Sequence, residues 1–263
     1  MDLGLTGKVA IVTGGSDGIG KAAARALAAE GARVAICARR AAVLEAAAEE
    51  LRGATGGEVI GIVCDMTEAG QVQQLVADVV ERWGRLDILV NNAGTSSAMP
   101  FESLGEEALD YDLQLKVYGA VYASQAAIPQ MKAVGGGRII NITTGGGKAP
   151  TASSLPTSLS RAAGIALTKA MSRDLAADGI LVNTVCIGLI KAGQHERRVE
   201  TMRDANPSLT LEDHYERMGS RVPLGRVGEA QEAGDVICFL ASERASYVTG
   251  ASINIDGGMA PVV

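Results

Sequence analysis

Residues 9–20 read Val9-Ala10-Ile11-Val12-Thr13-Gly14-Gly15-Ser16-Asp17-Gly18-Ile19-Gly20. A short β-branched, apolar run ends in a glycine-rich turn, and an alanine-rich amphipathic pattern follows at once. Glycines at 14, 18 and 20 permit a tight turn and close approach of the backbone to a pyrophosphate. The helix N-terminus that follows offers free N–H groups and a positive dipole end. Three glycines alone are common in turns. Their place after a strand and before a helix is what makes them a phosphate cradle, with Gly14, Ser16, Asp17, Gly18, Ile19 and Gly20 as its residues.

Working outward, the same alternation repeats along the chain. Strand candidates are 9–13, 33–37, 59–64, 86–91, 138–143, 180–186 and 251–256, each short and rich in Val and Ile. Helical patterns occupy 19–30, 41–53, 68–83, 104–133, 155–175 and 229–242. Strand and helix in alternation predict one α/β domain of doubly wound Rossmann type, with a parallel sheet of about seven strands and helices on both faces. The 263 residues suffice for a single large core. Residues 189–224 are charged, irregular and hold two of the seven prolines, so they are expected to form a lobe over the site.

Composition removes several classes of function. A net charge of −6 and a pI near 5.1 argue against nucleic-acid binding, which needs a basic face. No apolar run approaches the ~20 residues that span a membrane, and the N-terminus lacks a secretory leader pattern, so a cytoplasmic location is expected. Cys37, Cys64, Cys186 and Cys238 are far apart, with no metal-type spacing, and are expected to be reduced core thiols. No metal site is expected.

The motifs, in order, resemble those of the short-chain dehydrogenase/reductase family over nearly the whole chain. The loop spacing is GxxxGxG. Asn91-Asn92-Ala93-Gly94 looks like the family's NNAG motif beside the adenosine, and Asp65 with Met66 falls where the family contacts adenine. Tyr247-Val248-Thr249-Gly250 and Asp256-Gly257-Gly258 look like its C-terminal pattern. The resemblance implies a nicotinamide dinucleotide. The second strand runs into Arg39-Arg40, with no carboxylate in the position that holds a ribose 2′-hydroxyl. Arginine there forms a charge-assisted fork with a 2′-phosphate, so NADP(H) is expected ahead of NAD(H). Asp17 pulls the other way, because many NADP-dependent relatives carry a basic residue at that point.

The resemblance fails at the chemical centre. The family's serine, tyrosine and lysine, with a supporting asparagine, correspond to Thr144, Thr157, Arg161 and Lys116. Thr144 keeps a hydroxyl that can polarise a carbonyl. Arg161 keeps a positive charge beside the nicotinamide ribose but does not release a proton. Thr157 is the severe change, since an alkyl hydroxyl is too weak an acid to replace a phenol, and a positioned general acid is worth about 10²–10⁴-fold. Gly188 and Ile190 remain at the nicotinamide end, while Ile187 and Ala192 replace the family's proline and threonine. His195 and Lys116 are the candidates for a substitute donor, though either also reads as a solvated side chain. Arg197 and Arg198 suggest an acidic substrate or a solvated face.

Three functions stay open on the sequence. One is an NADP(H)-linked oxidoreductase of carbonyls or alcohols with a non-standard proton donor. A second is a non-redox enzyme on the same scaffold, and a third is a catalytically silent NADP(H)-binding protein. A small-molecule substrate is expected in the first two. By resemblance, pairing through the helices at 104–133 and 155–175, and again through the C-terminal strand region, implies a homotetramer, with a dimer as the alternative.

Overall fold

The computed structural model describes residues 1–204 and 206–263, with Arg197 described in its main chain alone. Seven strands form one parallel sheet: β1 (Val9–Thr13), β2 (Arg33–Ala38), β3 (Val59–Val63), β4 (Ile88–Asn91), β6 (Gly137–Thr144), β8 (Ile180–Ile187) and β9 (Ser252–Ile255). Their spatial order is β3-β2-β1-β4-β6-β8-β9, so the chain reverses direction across the sheet between β1 and β4. A crevice opens beyond the strand ends at such a switch point. Two short strands not expected from the sequence, β5 (Ala98–Met99) and β7 (Leu155–Pro156), pair antiparallel beside it.

The helices are α1 (Gly18–Ala29), α2 (Ala41–Thr55), α3 (Ala69–Trp83), α4 (Glu106–Leu113), α5 (Gly119–Ala133), α6 (Thr157–Asp174), α7 (Gly193–Arg203), α8 (Leu211–Gly219) and α9 (Ala230–Ala241). One apolar layer sets α1, α2 and α9 against the sheet through Leu27, Leu44, Leu51 and Ile237. The other sets α3 and α5 on the opposite face through Val72, Leu75, Val79 and Met131. Each fully buried side chain of this size contributes about 1.5–3 kcal/mol over exposure. β1 is buried at all five positions, as a strand covered on both faces must be.

Two expectations are corrected. The pattern at 104–133 is one helical run, Glu106–Ala133, but not a uniform α-helix: a π-turn at Gln114–Tyr118, closed by the Gly119 N–H on the Gln114 carbonyl, divides it into α4 and α5. Periodicity misses it because one extra residue in a turn leaves both flanks apolar at helical spacing. The stretch 189–224 is not irregular either, since it folds into α7 and α8. Thr210 and Asp213 cap α8 reciprocally, the Asp213 N–H donating to the Thr210 hydroxyl and the Thr210 N–H to the Asp213 carboxylate.

Candidate active site

The glycine loop is held by the strand beside it. The Thr13 hydroxyl accepts from the N–H groups of Asn92 (2.9 Å) and Ala93 (3.0 Å). The Asn92 amide donates to the carbonyls of Thr13 (2.9 Å) and Gly14 (3.1 Å). Gly14 has φ +64° and Gly18 has φ +52°, where a side chain is strained. A Cβ on Gly20 would sit 2.4 Å from the Gly14 carbonyl oxygen. Asp17 caps α1, its carboxylate accepting from the Gly18 N–H at 2.7 Å. This cradle, aimed along the α1 N-terminus, fits the pyrophosphate of a dinucleotide.

The loop opens into a cleft of about 1000 Å³. Gly14, Ser16, Asp17, Gly18, Ile19, Arg39, Arg40, Asn92, Gly94, Gly188 and Ile190 line it, as do Thr144, Thr157 and Arg161. Gly20 and Ala93 stand behind that wall as packing for the loop. Asp65 and Met66 stand outside it: the Asp65 carboxylate closes a turn by accepting from the Thr67 N–H and hydroxyl, and Met66 is 4% exposed with its sulfur against Cys37 and Cys64. The Met66 side chain is therefore a core group. Arg39 projects from the end of β2 and donates to the Tyr111 hydroxyl at 3.1 Å.

At the centre, Arg161 reaches across to β6, donating from Nη1 to the Ile142 carbonyl at 2.6 Å. Its Nε is buried without a hydrogen-bond partner among the described residues. Burial lowers its pKa to about 10, against the pull of Asp112 and Cys186 in the other direction. Thr157, at the first position of α6, is fully engaged: its hydroxyl donates to the Ser97 carbonyl (3.1 Å) and accepts from the Ser97 N–H (3.1 Å) and from Lys116 Nζ (3.2 Å). Thr144 lines the cleft, and its hydroxyl makes no hydrogen bond among the described residues.

Lys116 is not a solvated side chain. It stands in the π-turn, 7% exposed, ion-paired with Asp112 one turn earlier. The Asp112 carboxylate also accepts from the Ser160 hydroxyl at 2.6 Å. Burial, together with the nearby Arg161 charge, lowers the Lys116 pKa to about 8, and Asp112 limits the fall. Asp112, Ser160 and Ser97 went unremarked in the sequence. The signal for Asp112 was its place four residues before Lys116, the spacing of facing side chains on a helix.

The lobe supplies the far wall. His195 and Arg198 of α7 and His214, Arg217 and Arg221 in and just beyond α8 all line the cleft. The His195 and His214 rings lie 5.7 Å apart. Burial pushes both imidazoles below their usual range, and the Arg198 charge acts on both in the same sense. His195 is thus half-buried, not a solvated loop side chain, while the Arg197 side chain lies outside what is described. His214, Arg217 and Arg221 also went unremarked. Their signal was a repeated His-x-x-Arg, at 195–198 and again at 214–217.

Comparison with known proteins agrees with this geometry. The profile of the family described as "Enoyl-(Acyl carrier protein) reductase" matches residues 14–260. The chain is 38% identical to the granaticin polyketide synthase putative ketoacyl reductase 1 of Streptomyces violaceoruber, over 95% of this chain and 92% of that protein. It is 34% identical to the sorbitol dehydrogenase of Cereibacter sphaeroides, over 97% and 98%. The crystal structure of L-sorbose reductase from Gluconobacter frateurii, complexed with NADPH and L-sorbose, superposes with a TM-score of 0.95 at 31% identity, covering 100% of both chains. The glycine loop braced by Asn92, the seven-stranded sheet and these whole-length matches together establish that the chain belongs to the short-chain dehydrogenase/reductase family.

Proposed function

We propose that this protein is an NADP(H)-linked oxidoreductase that interconverts a carbonyl and an alcohol on a small molecule, with Lys116 supplying the proton through the Thr157 hydroxyl. The observation that carries the reading is the continuous line from Asp112 through Lys116 to Thr157, which ends on the wall of the glycine-loop cleft. The NADPH in the L-sorbose reductase structure supports the choice of nucleotide, as do Arg39 and Arg40 at the end of β2.

When bound, the nicotinamide supplies or accepts the hydride. Thr144 donates a hydrogen bond to the substrate oxygen. Thr157 turns its hydroxyl from the Ser97 carbonyl to the same oxygen. As the Thr157 proton passes to the substrate, Lys116 gives a proton to Thr157 Oγ1 and is left as the neutral amine. The threonine never ionises, which removes the objection that an alkyl hydroxyl is too weak an acid. Arg161, held on the Ile142 carbonyl, offers a fixed positive charge to the ribose side of the cleft. Oxidation runs the same line backwards.

Fluorescence titration with NADPH and NADH tests the nucleotide. NADPH is expected to bind more tightly, and Arg39→Ala to weaken NADPH about tenfold or more while leaving NADH nearly unchanged, since a charge-assisted hydrogen bond is worth about 1.5–3 kcal/mol. Equal affinity for the two in the native protein overturns the assignment.

The reading extends to assembly as a homotetramer. β9 leaves one edge of the sheet unpaired within the chain, and Tyr118 (51% exposed) and Leu159 (47% exposed) are apolar faces on the helical side. Light scattering is expected to give four subunits, and one subunit's mass overturns it. The four cysteines, all buried and free, fit a reducing compartment.

A further inference from the structure

The cleft carries a charge opposite to that of the chain. Among the described residues, its wall holds Arg39, Arg40, Arg161, Arg198, Arg217 and Arg221 against a single carboxylate, Asp17, in a protein of net charge −6. Arg39, Arg40 and Arg161 serve the nucleotide in the reading above. The other three have no such task. They come from the lobe, and none of their guanidinium groups makes an ion pair or hydrogen bond among the described residues. Other cations of the same region are satisfied: Lys191 pairs with Glu229, and Arg226 with Glu232.

Helical spacing explains the convergence. His195, Arg198 and Met202 fall at i, i+3 and i+7 on α7, and His214, Arg217, Met218 and Arg221 at i, i+3, i+4 and i+7 along α8. Each helix turns one His-x-x-Arg face to the cleft. A second observation is independent of charge. His214 is 8% exposed, and its Nε2 is buried with no hydrogen-bond partner among the described residues. A buried polar atom in that condition costs about 1–3 kcal/mol, so it calls for a ligand.

We infer that the α7–α8 face is an anion subsite, formed by Arg198, Arg217, Arg221 and the two histidines, and that the natural substrate carries a carboxylate or phosphate as well as its reacting carbonyl. The carbonyl half of the statement rests on the function proposed above, whereas the subsite does not. An anion seated there gives the unpaired guanidinium groups acceptors and offers His214 Nε2 one once that nitrogen is protonated. Mutual repulsion between the arginines keeps the subsite open until the anion arrives. The two methionines, Met202 and Met218, supply an apolar wall for the carbon chain between anion and carbonyl.

Two measurements test it. His195 and His214 are the only histidines in the chain, so their ring signals in ¹H–¹⁵N spectra report on this subsite alone. The groups that act on them are Arg198 of α7, Arg217 of α8, each other and the Ile190 carbonyl, and the Tyr215 ring packs against both; Glu196, Lys191 and Glu229 in turn act on Tyr215. With NADPH saturating, glutarate or glycerol phosphate is expected to raise both histidine pKa values, and the Arg217→Gln/Arg221→Gln variant to lose most of the rise. No rise with either anion overturns the subsite, whether or not any carbonyl is turned over. The second measurement compares matched substrates with NADPH: a 3-oxo acid with its methyl ester, and a 3-oxoacyl phosphopantetheine with its N-acetylcysteamine thioester. The double variant is expected to lower the ratio of kcat/KM, anionic over neutral, by about 10–100-fold in one pair. The pair affected tells carboxylate from phosphate. An unchanged ratio in both pairs overturns the substrate class. A histidine response without turnover of any carbonyl counts against the proposed chemistry and leaves the anion subsite standing.

Discussion

Lys116→Arg is expected to lower the rate of carbonyl reduction by about 10²–10⁴-fold while leaving the fold intact. The substitution separates charge from proton. Arginine keeps a cation opposite Asp112, so the buried pair survives, but a guanidinium does not give up a proton in this range. The pH profile is the decisive readout. Lys116 has a pKa of about 8, lowered by burial and by the Arg161 charge. Its protonated form is the donor, so reduction runs at full rate below that pH and declines above it. Oxidation needs the free amine and shows the reverse profile. Both limbs are expected to vanish in Lys116→Arg. A native enzyme whose rate of reduction stays flat from about pH 7 to 9.5 overturns the assignment.

Asp112→Ala is expected to destabilise the protein by about 3–5 kcal/mol, because it strands a buried lysine beside a buried arginine. For a chain of this size that corresponds to a fall of roughly 6–20 °C in Tm. The sign of its pH dependence follows from the lysine. Its folded pKa lies below the unfolded value of 10.5, so the unfolded chain binds more protons between the two, and stability rises with pH there. Without Asp112 the folded pKa falls further, and the window opens below pH 8. The deficit of Asp112→Ala therefore shrinks as pH is raised, and thermal melts between pH 6 and 10 read it directly. Replacing both partners, Asp112→Leu with Lys116→Met, is expected to recover part of the loss, since the ionic pair leaves together. A single variant that melts within about 2 °C of the native protein at pH 7 refutes a buried ion pair at this place.

The sheet was readable in the sequence for a physical reason. Parallel strands buried on both faces must be continuous apolar runs, so β1, β2, β6 and β8 announce themselves, and their ends were displaced by only a residue or so. The glycine loop was equally plain, because its turn tolerates no Cβ at Gly20. Other features depend on contacts that sequence distance hides. Ser160 meets Asp112 across 48 residues, and Thr157 meets Ser97 across 60. Thr157 looked like a lost acid when taken alone. Its meaning changes once Lys116 stands behind it. The lobe reads as irregular in the sequence because Pro207, Pro223 and a dense run of charge resemble a loop, although the capping box at Thr210 marks a helix start.

The π-turn at Gln114–Tyr118 has a consequence for how the family's scaffold can change. The extra residue resets the rotational phase of the helix, so Asp112 before it and Lys116 within it answer to different constraints from the sheet-packing residues after it. Ala123, Ala127 and Met131 are pinned by the core, while Asp112 and Lys116 are pinned by α6. The turn acts as a joint between two modules. A lineage can exchange the proton-donating pair without repacking the hydrophobic interior. Deletion of a single residue within the joint, by contrast, would rotate one module against the other by about 100° and disable both at once.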